Sequence, residues 1–165
     1  KGNLEREVKR RIQSKIKEQV MDALIAVTPI EVPKALVQAE SQQLADNARR
    51  DLEMRGLKTK DIPVDPSWFT EQAERRVKLG LIMAELVKAN ELHAKPEQVR
   101  ALVEEMAQSY EDPSELVRWY YAQPERLAQA EAVVIEDNVV AWVCEKAETT
   151  DKPVAFDELM GNNAA

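Results

Sequence analysis

From Leu4 to Leu24, an apolar side chain stands at every fourth position. The set is Leu4, Val8, Ile12, Ile16, Val20 and Leu24. Because an α-helix turns once in about 3.6 residues, this spacing predicts one amphipathic helix whose apolar stripe drifts slowly around the axis. At ~1.5 Å per residue the helix spans roughly 35 Å. We expect it to end before Pro29, since a proline disfavours helical geometry in the residue that precedes it.

The rest of the chain has a composition typical of helices. It contains only 4 Gly in 165 residues, whereas all-β folds need many tight turns that usually require glycine. Ala, Leu, Glu, Lys, Gln and Arg dominate, and these residues form helices readily. A length of 165 residues suits a single domain of about 100–200 residues. The expected fold is therefore all-α, in one helical domain.

Proline residues divide this domain into helices. Pro33 is expected to open a second helix that ends near Gly56, and Asp65 with Pro66 a third that ends near Asn90. A fourth is expected from Lys95-Pro96 to Tyr110-Glu111, and a fifth after the capping sequence Asp112-Pro113-Ser114-Glu115. A sixth is expected from Gln123-Pro124, with Ala147 as its last apolar stripe residue and the segment Thr149 to Pro153 breaking it. We expect Gly80, inside the third helix, to permit close helix packing. The predicted segments are a body helix and link at 1–32, a helix pair and loop at 33–94, arm-like helices at 95–150 and a tail at 151–165 that docks on the body.

The charge and the apolar pattern argue against two kinds of partner. The net charge is -7 and the pI is about 5.0, whereas a nucleic-acid surface needs clustered Lys and Arg. No stretch reaches the ~18 apolar residues of a membrane span. We therefore expect neither direct nucleic-acid binding nor membrane binding. The chain begins Lys-Gly-Asn, shows no signal peptide and starts in a helical pattern, which suggests a piece of a longer protein.

The sequence shows no constellation of catalytic or metal-binding residues. His93 is the only histidine and Cys144 the only cysteine, so no internal disulfide can form and no convergent ligand set is apparent. We interpret Cys144 as an inert thiol and His93 as a helix-end residue. Isolated glycines cannot form a phosphate-binding loop. We expect no enzymatic activity, no cofactor and no metal.

Five stretches, read in order, resemble the C-terminal domain of the bacterial trigger factor family. They are VMDAL at 20–24, IEVPKAL at 30–36, FTEQAERRVKLGL at 69–81, EEMAQSYEDP at 104–113 and FDELM at 156–160. The likeness covers essentially the whole chain. It implies an elongated helical body with two arms, a plan similar to that of periplasmic isomerase-chaperone cores.

The resemblance also implies a function. The family consists of ribosome-associated chaperones of the bacterial cytosol that hold unfolded or nascent polypeptides without ATP. In that family, ribosome docking and prolyl isomerisation belong to other domains, so we expect neither from this chain alone. A weak tendency to self-associate is also expected. The alternative is a helical scaffold that binds one fixed protein partner; separated Met and aromatic patches would favour many clients, and one continuous apolar groove would favour a single partner.

The best candidate binding site is the joint between the fourth and fifth helices. Met106 and Tyr110 are four residues apart, and Leu116 and Trp119 are three apart, so each pair is expected on one helical face. Asp112-Pro113 folds the chain between the pairs, so they can converge. The resemblance implies a client patch at the same joint. A stripe of this kind can also be core, and one of the adjacent aromatic residues, among which Tyr120 is a further candidate, must face inward.

A second candidate patch lies around the end of the second helix. It consists of Leu44, Met54, Leu57 and Ile62. These residues could equally form a small local cluster. Trp68 is a further candidate, because its neighbour Phe69 continues the inward stripe of the third helix.

Overall fold

The computed structural model describes residues 2–57, 63–108 and 110–161, with side chains from residue 4 onward. All of the regular secondary structure in these ranges is helical, which confirms the all-α prediction. The α-helices are α1 (Gly2–Val27), α2 (Lys34–Met54), α3 (Thr70–Asn90), α4 (Pro96–Ala107), α5 (Pro113–Tyr121), α6 (Pro124–Lys146) and α7 (Phe156–Met160), with a 3₁₀ turn at Pro66–Phe69. The chain divides into two compact units, residues 1–20 with 85–165, and residues 21–84. None of the described helices combines the length and the apolarity that crossing a lipid bilayer requires.

Proline stands at the first residue of α4, α5 and α6, as the sequence predicts. The first turn of a helix has no use for the missing N–H, and the fixed φ of proline suits it. The Asp65 carboxylate also accepts a hydrogen bond from the Ser67 amide, at 2.8 Å. The structure differs from the prediction in what this residue caps, which is a 3₁₀ turn. Helix α3 begins only at Thr70. Both kinds of helix use the same starting residues, and 3₁₀ turns are frequent at the N-termini of α-helices.

Helix α4 ends earlier than its sequence pattern predicts. It ends at Ala107 and not at Tyr110, whereas α6 ends at Lys146, just before the segment Thr149 to Pro153 that is predicted to break it. After α4 the chain must reach the extended geometry of Asp112, with φ of -119° and ψ of 93°, before α5 can start. The residue before a proline is driven out of the helical region. The apolar pattern therefore continues past the residue where the backbone leaves the helix.

Helices α4, α5 and α6 pack against one another around a small apolar core. Val99 and Val103 of α4 meet Ala130 and Val134 of α6. Each pair is four residues apart and so lies on one helical face. Val103 is fully buried. Around this core lie the partly buried side chains of Ala94, Leu102, Val117, Tyr120 and Leu127.

Polar contacts fix the middle of α6 to the segment before α4. The Asn138 amide donates to the carbonyl oxygens of Leu92 and His93 at 3.3 Å each, and it accepts from Gln98 at 2.8 Å. On another side of α6, Lys17 of α1 pairs with two carboxylates at 3.0 Å each, those of Glu136 and Asp137. Partial burial opposes the charge of Lys17, but these ion pairs outweigh it and raise the pKa of the ammonium.

The unit of residues 21–84 has its own core along α2. Ser41, Leu44 and Ala45 are buried there, and the 3₁₀ turn packs against the same helix. Arg49 of α2 donates to the Val64 carbonyl at 3.1 Å. This long-range contact holds the segment before the 3₁₀ turn against α2.

Gly80 does not lie at a close helix contact. Apart from the glycine itself, its two chain neighbours and the adjacent backbone of its own helix, no described atom is within 4 Å of the position that a Cβ would occupy. The sequence prediction that this glycine permits tight packing is therefore wrong. What remains is its effect on the backbone, because glycine has more conformational freedom to lose on folding than alanine.

Replacing Gly80 with Ala is expected to stabilise the unit of residues 21–84 by about 1 kcal/mol, the difference in helix propensity between the two residues. Urea denaturation measures the change. Gly56→Ala is the matched control: it too has open space around the Cβ position, but its φ is +78°, so a side chain there is strained. That control is expected to destabilise. A loss of stability in Gly80→Ala would show that a neighbour does approach the helix at this point.

Candidate functional site

The turn between α4 and α5 is fixed by an aspartate at the start of α5. Asp112 Oδ1 accepts from the amides of Ser114 and Glu115, at 3.0 and 3.2 Å, and from the Ser114 hydroxyl at 2.7 Å. The Ser114 hydroxyl, followed by the Glu115 amide, holds the pKa of the Asp112 carboxyl below its ordinary value. Before it, the Tyr110 amide donates to the Ala107 carbonyl at 3.0 Å. These hydrogen bonds set the direction in which α5 leaves the turn.

An open groove of about 330 Å³ lies at this turn, and three predicted site residues line it. They are Tyr110, Leu116 and Trp119. Tyr110 is 59% exposed and Trp119 47%, while Leu116 is half-buried. The remaining walls carry three carboxylates, those of Glu111, Asp112 and Glu115. The groove thus combines apolar surface with negative charge.

Met106 lies outside this groove. Because α4 ends at Ala107, Met106 and Tyr110 do not share one helical face as the spacing predicts. Met106 is 42% exposed and lines a second groove, of about 670 Å³, between the end of α4 and the first turns of α1. Its sulfur is 4.0 Å from the Tyr120 hydroxyl, which connects it to α5. The four residues are therefore near one another but face two grooves.

Trp119 is held by two neighbours. The guanidinium carbon of Arg126 is 3.8 Å from the centre of the indole ring. The Tyr120 ring meets it edge-on, with 5.2 Å between ring centres and an angle of 84° between planes. Both arrangements are favourable for aromatic rings.

The three consecutive aromatic residues of α5 point in different directions. Tyr120 is half-buried and packs against the core between α4 and α6. Trp119 and Tyr121 are exposed, at 47% and 48%. Consecutive helical residues are about 100° apart, so one of three must turn inward. Here it is Tyr120.

The second predicted patch is only partly at the surface. Leu44 is 8% exposed and lies with Ser41 and Ala45 among the buried residues of α2, the helix against which the 3₁₀ turn packs. Met54, Leu57 and Trp68 are 79%, 47% and 66% exposed. Ile62 lies outside the described residues. Leu44 is thus unavailable to a partner, whereas the side chains of Met54, Leu57 and Trp68 are each accessible to one.

Lowering the pH is expected to release the start of α5. Because the folded pKa of Asp112 is lowered, its stabilising effect is present above the ordinary value of about 3.9 and is lost as the pH falls through the folded value. The amide shifts of Ser114 and Glu115, followed by NMR, should therefore titrate with a midpoint below about 3.9.

Two variants complete that test. Asp112→Asn keeps a capping oxygen but removes the titration. Asp112→Ala loses the cap at every pH, so in this variant the amides of Ser114 and Glu115 should exchange faster with solvent. A midpoint at the ordinary value, or unchanged exchange in Asp112→Ala, would show that the aspartate does not hold the turn.

Several residues of the site are not found by sequence reasoning. The carboxylates of Glu111 and Glu115 flank the apolar residues in the sequence, so their presence at the groove could have been inferred. The sequence does not indicate that Arg126 belongs to the site, because its contact with Trp119 joins two different helices, α6 and α5. Within the described ranges no three His, Cys, Asp or Glu side chains come together as a possible metal site. The groove as described can form noncovalent contacts with apolar and cationic groups.

Comparison with known proteins gives a consistent result. A family model described as the C-terminus of bacterial trigger factor protein matches residues 1–145. The trigger factor of Azoarcus sp. (strain BH72) is 80% identical over 164 residues, which are 99% of this chain and 38% of that protein. Those of Aromatoleum aromaticum and Herminiimonas arsenicoxydans are 77% and 58% identical over the same share of this chain, and over 38% and 37% of their own length. The chain thus spans well under half the length of these relatives.

Proposed function

This chain belongs to the bacterial trigger factor family, matching the C-terminal part of its members, and from that premise we propose that it is a chaperone module that binds unfolded or nascent polypeptides without ATP. The observation that carries the proposal is the exposed apolar surface around the turn between α4 and α5. Tyr110 and Trp119 stand exposed in one groove, and Met106 stands exposed beside it. Exposed aromatic and methionine side chains that lie close together are typical of binding surfaces.

Binding at such a surface is weak and reversible. Burial contributes roughly 25 cal/mol per Å² of apolar area, or about 1.5–3 kcal/mol for one large side chain. Ordering the client and the side chains then subtracts part of this gain. Several patches on one chain, including the exposed Met54, Leu57 and Trp68, would add avidity. Because the binding at each single patch is weak, the client can be released without a nucleotide.

The charge of the groove narrows the choice of client segment. The three carboxylates that line it favour a segment that joins apolar side chains to Lys or Arg. These carboxylates are exposed, so their attraction should fall as salt screens it. A segment with aromatic and basic residues is the expected preference.

The remaining parts of the proposal follow the family. We assign no catalysis and no cofactor to this chain, and place prolyl isomerisation and ribosome contact in other parts of a trigger factor. The bacterial cytoplasm is the proposed location. We propose no direct contact with nucleic acid or with a membrane. We do propose weak self-association through the exposed patches.

An NMR titration tests this function. The 165-residue chain, labelled at Met methyl groups and Trp indoles, is mixed with a permanently unfolded protein. The Met106 methyl and the Trp119 indole should shift, whereas the buried Met21, 7% exposed, and the half-buried Trp142 should shift little. Unrelated clients should give the same map.

Two outcomes would contradict the proposal. If no unfolded protein moves the Met106 and Trp119 signals, the surface is not a client site. If one folded protein alone moves them, the chain is a scaffold for a single partner.

A further inference from the structure

Arg126 contacts both the ring and the backbone of Trp119. Its guanidinium carbon is 3.8 Å from the ring centre, and its Nη1 donates to the Trp119 carbonyl at 2.9 Å. That carbonyl belongs to the last turn of α5, where helical carbonyls have no partner within the helix. Arg126 itself stands in the first turn of α6. One side chain therefore joins both parts of Trp119 to the next helix.

Arginine suits this double contact. Its planar guanidinium can stack on an aromatic face while an edge N–H donates a hydrogen bond, which the compact ammonium of lysine does less well. A cation near a helix C-terminus is also favourable. Arg126 is half-buried, so solvent screens these interactions less than at an exposed site.

We propose that Arg126 is a positioning residue for polypeptide binding, which holds the Trp119 indole where it lines the groove with Tyr110 and Leu116. This inference rests on the proposed function. A side chain that is fixed before the client arrives loses less conformational freedom when the client binds. Arg126 also covers one face of the indole, so the client contacts the remaining surface of the ring.

The experiment compares Arg126→Gln with the wild-type 165-residue chain. The probe is a neutral peptide rich in Phe and Leu, chosen so that the lost charge does not itself change the attraction. Two quantities are measured: the affinity for the peptide, and the order of the Trp119 indole N–H by ¹⁵N relaxation. We expect the ring to become more mobile and the affinity to fall about threefold to tenfold.

Arg100→Gln is the matched control. It removes the same charge from an exposed arginine of α4 that pairs with Glu104 at 2.8 Å. It should change neither the ring order nor, beyond about twofold, the affinity. Should Arg126→Gln loosen α5 itself, Arg126→Lys replaces it, because the ammonium can still satisfy the helix end but loses the planar stack. The same two changes are then expected.

The outcomes separate the two proposals. Unchanged ring order, or a loss of affinity without a change in ring order, overturns the role of Arg126. If the wild-type chain fails to bind the peptide, or Trp119→Ala binds it equally well, the groove is not a client site and both proposals fail.

Discussion

Replacing Trp119 with Ala is expected to weaken the binding of an unfolded client about tenfold. The side chain is 47% exposed and lines the groove with Tyr110 and Leu116. An indole that is half exposed offers roughly 100 Å² to a partner, worth about 2.5 kcal/mol at 25 cal/mol per Å². Ordering costs of about 0.5–1.5 kcal/mol reduce this gain. The net of about 1–2 kcal/mol corresponds to a loss on the order of tenfold.

Fluorescence anisotropy of a labelled unfolded protein measures this loss. Trp119→Phe is the matched control, because a smaller flat ring retains most of the apolar contact and should bind within about threefold of the wild type. Since Val117 and Tyr120, and not Trp119, pack against the core, helix content should stay the same in both variants. An Ala variant that binds normally but loses much stability would show that Trp119 acts as core.

The starts of α4, α5 and α6 could be predicted because they depend on neighbouring residues alone. A proline at the first position, with Asp112 before it at α5, determines the local backbone whatever the rest of the chain does. The same logic fails at Pro66, because a 3₁₀ turn and an α-helix accept the same first residues. The end of α4 was missed for a related reason: the apolar pattern runs on to Tyr110, but the cap at Asp112 requires the helix to stop first.

Exposure could not be predicted where it depends on contacts distant in sequence. Leu44 and Met54 belong to one helix, yet Leu44 is buried and Met54 is 79% exposed at the last residue of α2. Met106 faces a groove formed with the start of α1, about a hundred residues away in sequence. Arg126, in the first turn of α6, reaches Trp119 of α5 across the two-residue link between these helices. The sequence pattern found the apolar residues, whereas the fold decides which groove each one lines.

Replacing Val103 with Ala is expected to destabilise the packing of α4, α5 and α6 by roughly 2–3 kcal/mol. Val103 is 0% exposed and lies against Val99, Ala130 and Val134. The loss of two methyl groups removes about 0.8 kcal/mol each, and the cavity that remains adds a further amount. Hydrogen exchange of the amides in α4 and α6 measures the effect, because it reports on these helices separately from the unit of residues 21–84.

Two variants test whether burial causes that loss. Val133→Ala removes the same two methyl groups from α6 at a position that is 40% exposed, and should change stability by less than about 0.5 kcal/mol. Val103→Thr keeps the shape but buries a hydroxyl that only a carbonyl of the preceding helical turn can satisfy, and should cost about 1–3 kcal/mol. Equal losses in Val103→Ala and Val133→Ala would mean that α4 and α6 do not form the core. Because α5 rests on this core through Val117 and Tyr120, the loss of packing expected in Val103→Ala should also weaken the support of the groove at Trp119.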